Sequence, residues 1–214
     1  MKIKKKTAVL IDGEWFRKRI EEAIGDKLKH GVTADVMYRN AVRCLDFSEE
    51  DLFRIFYYDC PPYAGIETNP VDRSVTKFKE LPKFAVRQRF LNEFKAKDYV
   101  AMRLGLCKSR GWTLSDSYIK KAIKGNHLPL QPSDVLLSQE QKGVDMRIGI
   151  DVATLSLKRI VDRIILISGD IDMVPAVKLA RREGIQVVLV QVACKISGQL
   201  DEDVDLVRDI NPEV

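Results

Sequence analysis

Short apolar runs alternate with helical stretches along most of this 214-residue chain, and that alternation constrains its fold more than any other feature. The runs at 7–11 (TAVLI), 53–58 (FRIFYY), 100–106, 163–167 (RIILI) and 186–191 (QVVLVQ) read as strands. Between them, residues 14–28, 33–45, 145–157 and 172–182 carry apolar side chains at helical spacing, and Gly184 supplies a stop after the last. Residues 74–97 are also helical in composition, interrupted at Pro82. Residues 61–72 and 125–138 read as loops, 109–112 as a turn with a hairpin partner, 197–203 as a short helix and 206–210 as a last edge strand. Strands separated by helices at this spacing pair in parallel with helices on both faces, an α/β fold with a mostly parallel sheet. A chain this long buries about 70% of its unfolded surface, so it needs no disulfide or metal staple. We expect one domain over 1–214, with an irregular, insert-like segment at about 61–140.

Charge sharpens the picture of that segment. The chain has 36 Lys+Arg and 31 Asp+Glu, a net charge of +5, but the charges are segregated. Residues 201–214 carry six acids and one base, for −5, while 73–124 carry fourteen bases and four acids, for +10. Phe78, Phe84, Phe90, Phe94, Tyr99, Trp112 and Tyr118 interleave with those bases. Ion pairing and base stacking make such a segment suited to a phosphate-bearing polymer. The plainer alternative is a solvated helical face whose aromatics belong to the core. No apolar run approaches the ~20 residues that span a bilayer, and the basic first residues lead into no signal-peptide core. A cytoplasmic protein without a membrane partner is therefore expected. Cys44, Cys60, Cys107 and Cys194 lie far apart without a CxxC pair and read as reduced thiols. His30 and His127 have no nucleophile motif beside them, which disfavours histidine-based hydrolysis.

Two of the strand-like runs end in acids: Leu10-Ile11-Asp12-Gly13, and Leu166-Ile167-Ser168-Gly169-Asp170-Ile171-Asp172. Ligands of open parallel sheets bind outside the carboxyl ends of the strands. If these strands are neighbours, Asp12, Asp170 and Asp172 converge, and like charges that close need a proton or a cation between them. Oxygen ligands without His or Cys select a hard ion, Mg²⁺ or Mn²⁺. The competing role for Asp12 and Asp170 is to cap turns. Asp145 opens a helix and is a fourth candidate, though its charge would also favour a helix N-terminus. Asp151 lies about 240° further around that helix and stands in reserve. Lys142 is a candidate phosphate contact, and Ser168 a candidate hydrogen-bonding partner of a ligand carboxylate or phosphate.

Taken in order, AVLIDGEWF at 8–16, QKGVD at 141–145 and ISGDIDMVP at 167–175 resemble the NYN domain, in the LabA-like (DUF88) branch of the PIN-like nuclease superfamily. FYYDCPP at 56–62 is similar to the family's second-strand segment, and RREGIQV at 181–187 to a later helix-to-strand turn. Ser197, Leu200 and Asp205 are similar to its closing pattern. The resemblance implies a PIN-like, Rossmann-like three-layer sandwich whose acids, by position Asp12, Asp145, Asp170 and Asp172, bind Mg²⁺ or Mn²⁺ and hydrolyse phosphodiesters, chiefly in RNA. Where the family often carries asparagine two residues after the first Asp-Gly, this chain has Trp15. The expected function is thus a metal-dependent ribonuclease, and homodimerisation stays open. One alternative is a non-catalytic RNA-binding or scaffold protein with a degenerate site. Another is an aspartate-dependent phosphatase, but the chain shows no clear acid–base or mid-chain Ser/Thr plus Lys to serve it.

Overall fold

The run read at 7–11 is the middle of strand β1 (Lys5–Asp12), the centre of a six-stranded parallel sheet. The computed structural model describes residues 3–28, 31–125, 129–193 and 199–214. His30, His127, Cys194 and Ser197 lie outside the described residues. The chain divides into two compact units, one of residues 1–59, 90–105 and 143–214, the other of 60–89 and 106–142.

The first unit holds β2 (Glu50–Asp59), β5 (Val100–Leu104), β8 (Arg163–Ile167), β9 (Gln186–Val192) and β10 (Leu206–Ile210) besides β1. Their order is β10-β9-β8-β1-β2-β5, and every pairing is parallel. Ala8, Val9, Leu10 and Ile11 are all buried, as a central strand covered on both faces requires. Alternate residues Val9, Ile11, Ile55 and Tyr57 join one core with Phe16 and Ile20 of α1 (Gly13–Ile24), Met37 and Ala41 of α2 (Ala34–Val42), and Phe90 and Phe94 late in α3 (Pro82–Lys95). On the opposite face α5 (Val144–Leu157) packs on β2 and β5, and α6 (Val174–Arg182) packs on α5 and β9. Helix, sheet and helix make the three layers of an α/β fold.

At the amino ends of the strands lies a buried ionic knot. Arg163 pairs with Glu50, and Arg208 Nη2 donates to Glu50 Oε1 at 2.9 Å. Arg163 Nε and Lys5 Nζ both donate to Gln186, at 2.7 and 2.6 Å. Burial alone would raise the Glu50 carboxyl, but hydrogen bonds from Arg208, the Asp46 backbone and Arg163 hold it below its ordinary value.

The second unit contains two antiparallel pairs, β3 (Ile66–Thr68) with β4 (Val75–Lys77), and β6 (Leu106–Leu114) with β7 (Val135–Lys142). It also holds α4 (Asp116–Ile123), whose N-terminus is capped by Ser115. Here the expected elements change. Residues 74–81 form β4 and a short turn of helix at Phe78–Glu80, and Pro82 opens α3 where its missing N–H costs nothing. The expected turn at 109–112 lies inside β6, where the register shifts between Ser109 and Gly111 and Gly111 takes φ 87°. The stretch 135–138, expected as loop, belongs to β7. The expected loop at 61–72 contains β3. These strands are mostly exposed or half-exposed on both faces, so no apolar alternation announces them. Among the described residues no helix is long and apolar enough to cross a membrane.

Candidate active site

The strand order runs outward from β1 through β2 and β5 in one direction, then resumes at β8 and continues through β9 and β10 in the other. Such a reversal opens a crevice at the carboxyl ends of the two strands where it occurs, here β1 and β8. Asp12 is the last residue of β1, and Ser168, Gly169 and Asp170 follow directly on β8. Ile11 pairs with Ile167, so the two acid-bearing turns leave the sheet at the same level. On the other flank Asp12 pairs with Tyr58, which puts Asp59 one residue beyond it at the end of β2.

Asp12 is half-buried and caps α1, its Oδ1 accepting the Trp15 N–H at 3.0 Å. Burial pushes its carboxyl up to about 6. The Trp15 N–H pulls it down, while the negative charges of Asp145, Asp59 and Glu14 push it further up. Asp59 is 1% exposed and accepts a hydrogen bond from the Tyr57 hydroxyl at 2.7 Å. Gly13 makes room for that pair: a Cβ there would stand 2.4 Å from Tyr57 Cζ and 2.7 Å from Asp59 Oδ2.

Asp145 stands exposed in the first turn of α5 and is raised by partial burial and by the charges of Asp170 and Asp172. It therefore feels both acidic groups, Asp12 on one side and the 170–172 turn on the other. That turn is tightly made. Asp170 Oδ1 accepts the Asp172 N–H at 2.9 Å, and Ser168 Oγ accepts the Asp170 N–H at 3.2 Å. The Trp15 indole stands against Gly169, where a Cβ would meet Nε1 at 2.3 Å. Beside Asp145 and Asp172 opens a shallow, mainly apolar groove of about 500 Å³ between α5 and the start of α6, lined by Met146, Ile150 and Pro175.

The other candidates have partners of their own. Asp151 Oδ2 accepts from the Tyr58 hydroxyl and from Arg103 Nε, both at 2.8 Å, so its charge is compensated. Burial and the Asp151 charge in turn push the Tyr58 hydroxyl up. The Ser168 side chain is buried. Lys142 ends β7 in the second unit, where it pairs with Glu140 at 3.3 Å. Asp59 was not among the expected site residues. Its signal was a third strand ending in acid, Tyr57-Tyr58-Asp59 before Cys60-Pro61.

Whether these residues suit a divalent cation can be judged from their chemistry and spacing. Every candidate donor is a carboxylate oxygen, the type a hard ion prefers. Among the described residues no group of three or more His, Cys, Asp or Glu stands close enough to hold one ion. The arrangement therefore suits an ion that keeps most of its waters and takes one or two carboxylates directly, as Mg²⁺ does. Burial is the main cause of the raised Asp12 carboxyl, and a cation would offset the smaller part that comes from the charges of Asp145, Asp59 and Glu14.

No curated protein matches the chain significantly. A solved structure of a protein of unknown function from Vibrio parahaemolyticus is similar over 97% of this chain and 93% of its own, with a TM-score of 0.50 and 17% identity. At that identity the likeness concerns the fold. A model of the NYN domain matches residues 88–208, a span that includes Asp145, Asp170 and Asp172 but begins after Asp12 and Asp59. With more than half of its length matched, the chain belongs to the NYN domain family, within the PIN-like nuclease superfamily.

Proposed function

We propose that this protein is a metal-dependent ribonuclease of the LabA-like (DUF88) branch, hydrolysing phosphodiester bonds in RNA at the carboxyl ends of β1 and β8. The observation that carries the reading is the level exit of two acid-bearing turns, Asp12 and Asp170, from adjacent strands at the switch point. The ordered segments shared with the LabA-like branch support the finer placement, and the 61–140 stretch is then an insert in a single NYN domain over 1–214.

Of Asp12, Asp145, Asp170 and Asp172, one or two would bind Mg²⁺ or Mn²⁺ directly and the others through the ion's waters. Such an ion, when bound, lowers the pKa of a coordinated water and offsets charge on the scissile phosphate. Asp12 is fixed by the Trp15 N–H and Asp170 by its own turn, so both carboxylates are oriented before any ligand arrives. Asp59, held by Tyr57, adds negative charge behind Asp12 and favours cation occupancy. Ser168 would keep its O–H for a ligand oxygen while its Oγ accepts the Asp170 N–H, and Lys142, exposed and paired with Glu140, would serve as a phosphate contact.

Asp12→Asn and Asp170→Asn should each lower Mn²⁺-dependent RNA cleavage by about 10²-fold or more, with circular dichroism unchanged. Cleavage at wild-type rates by both variants removes this site. A second reading, RNA binding without hydrolysis, is favoured by Trp15, which fills the space against Gly169 where the family often carries an amide. It predicts binding that weakens with salt and no cleavage by the wild type under either ion.

A further inference from the structure

The second unit has chemistry of its own. Residues 60–89 and 106–142 carry twelve Lys/Arg against six Asp/Glu, a net charge of +6. Within it lies a cavity of about 210 Å³ lined by Tyr63, Phe78, Lys83, Phe84, Arg87 and Gln139. The Phe78 ring is buried and meets Tyr63 edge-on, with centroids 5.4 Å apart and planes at 66°. The Tyr63 hydroxyl donates to Glu67 at 2.6 Å, which fixes that ring from its far end. Lys83 Nζ sits 5.7 Å from the Phe78 centroid, and Lys83 and Arg87 lie one turn apart on α3, bracketing Phe84 in sequence.

We propose that this cavity is a stacking site for one unpaired nucleobase of single-stranded RNA, with Lys83 and Arg87 engaging the flanking phosphates. Three features select that occupant. The volume is below the roughly 300–1,000 Å³ usual for a small-molecule or cofactor pocket, so it suits a single flat ring. Aromatic walls recognise the π-face that every base has, and adjacent cations recognise the phosphates to which each base is tethered. A base inside a duplex is already stacked, so the site favours single strands. The choice of RNA rests on the ribonuclease reading; the stacking itself does not.

The test uses the full chain in EDTA, so that binding is measured without cleavage. A fluorescent single-stranded RNA, a duplex and an abasic strand with the same number of phosphates are titrated at fixed salt. The wild type should bind the single strand more tightly than either of the others. Phe84→Ala should weaken single-strand binding roughly five- to 150-fold and leave the abasic strand unchanged, with Phe84→Trp restoring affinity. Lys83→Ala should weaken both strands. In parallel, 2-aminopurine placed in the single strand should be quenched on binding to the wild type, a readout that survives if Phe84→Ala does not fold. Equal affinity for RNA and abasic strands, or unquenched 2-aminopurine in the bound strand, overturns the proposal. A wild type that leaves RNA intact with Mn²⁺, yet shows the quench in EDTA, defeats the ribonuclease reading and leaves this site standing.

Discussion

Asp12 carries opposing demands. It caps α1, which an ionised carboxylate does well, yet burial and the charges of Asp145 and Asp59 favour its neutral form. In metal-free protein its carboxyl sits at about 6 against an ordinary 3.8, so the folded state holds a proton that the unfolded state has lost. Stability attributable to Asp12 is therefore present below about pH 4 and falls as pH rises through 6, by roughly 3 kcal/mol in total. Asp12→Asn, which keeps a capping oxygen, should melt higher than wild type at pH 7 in EDTA and no higher at pH 4. Equal melting temperatures at pH 7 contradict this account of the residue. Gly169 is constrained in a different way. Gly169→Ala drives a methyl into the Trp15 indole and should cost about 1–3 kcal/mol in chemical denaturation. The same change made in a Trp15→Asn background should cost markedly less, because the clashing ring is gone; an undiminished cost in the double variant excludes the Trp15 contact as its cause.

At the scale of elements, β2 shows how one strand divides its ends between stability and chemistry. Its first residue, Glu50, is buried with Arg163 and also pairs with the half-buried Arg208, and its last, Asp59, stands beside Asp12. Glu50→Gln leaves Arg163 buried without its partner and should destabilise the protein by about 3–5 kcal/mol in urea. Because the folded Glu50 carboxyl is held below 4.5, its contribution is complete above that pH and is lost as pH falls through the lowered value. A cost under 1 kcal/mol at pH 7 would show the knot to be dispensable. The sequence made β8 legible to the residue, and β1 and β9 nearly so, because buried parallel strands read as continuous apolar runs. The strands β6 and β7 escaped notice because Lys108, Arg110, Gln139 and Glu140 break any alternation. Asp145 and Asp170 were legible as acids at a helix start and a strand end. Asp59 was passed over because an acid before Cys60-Pro61-Pro62 reads as the start of a loop, and only the β1–β2 register puts it next to Asp12. Asp151 looked available until Tyr58 and Arg103 were seen on it, partners 93 and 48 residues away in sequence.

Across the whole molecule, the +5 average conceals distinct uses of charge. The acidic stretch at 201–214 is partly consumed in structure: Asp205 accepts from Arg181 Nε and the Val187 N–H, both at 2.8 Å, and Asp203 pairs with Lys178 at 3.2 Å. The second unit keeps a surplus of bases, and the first concentrates acids at one sheet end. Fold and family follow from the parallel sheet and the NYN match; hydrolysis is the claim that most needs a direct test. The decisive measurement incubates mixed single-stranded and structured RNAs with wild type and Asp170→Asn, each with Mn²⁺ and with EDTA, and follows the products on a denaturing gel. The account predicts cleavage by the wild type that requires Mn²⁺ and is lost in the variant while its melting profile persists. Intact RNA in every lane, or equal cleavage by the two proteins, contradicts it.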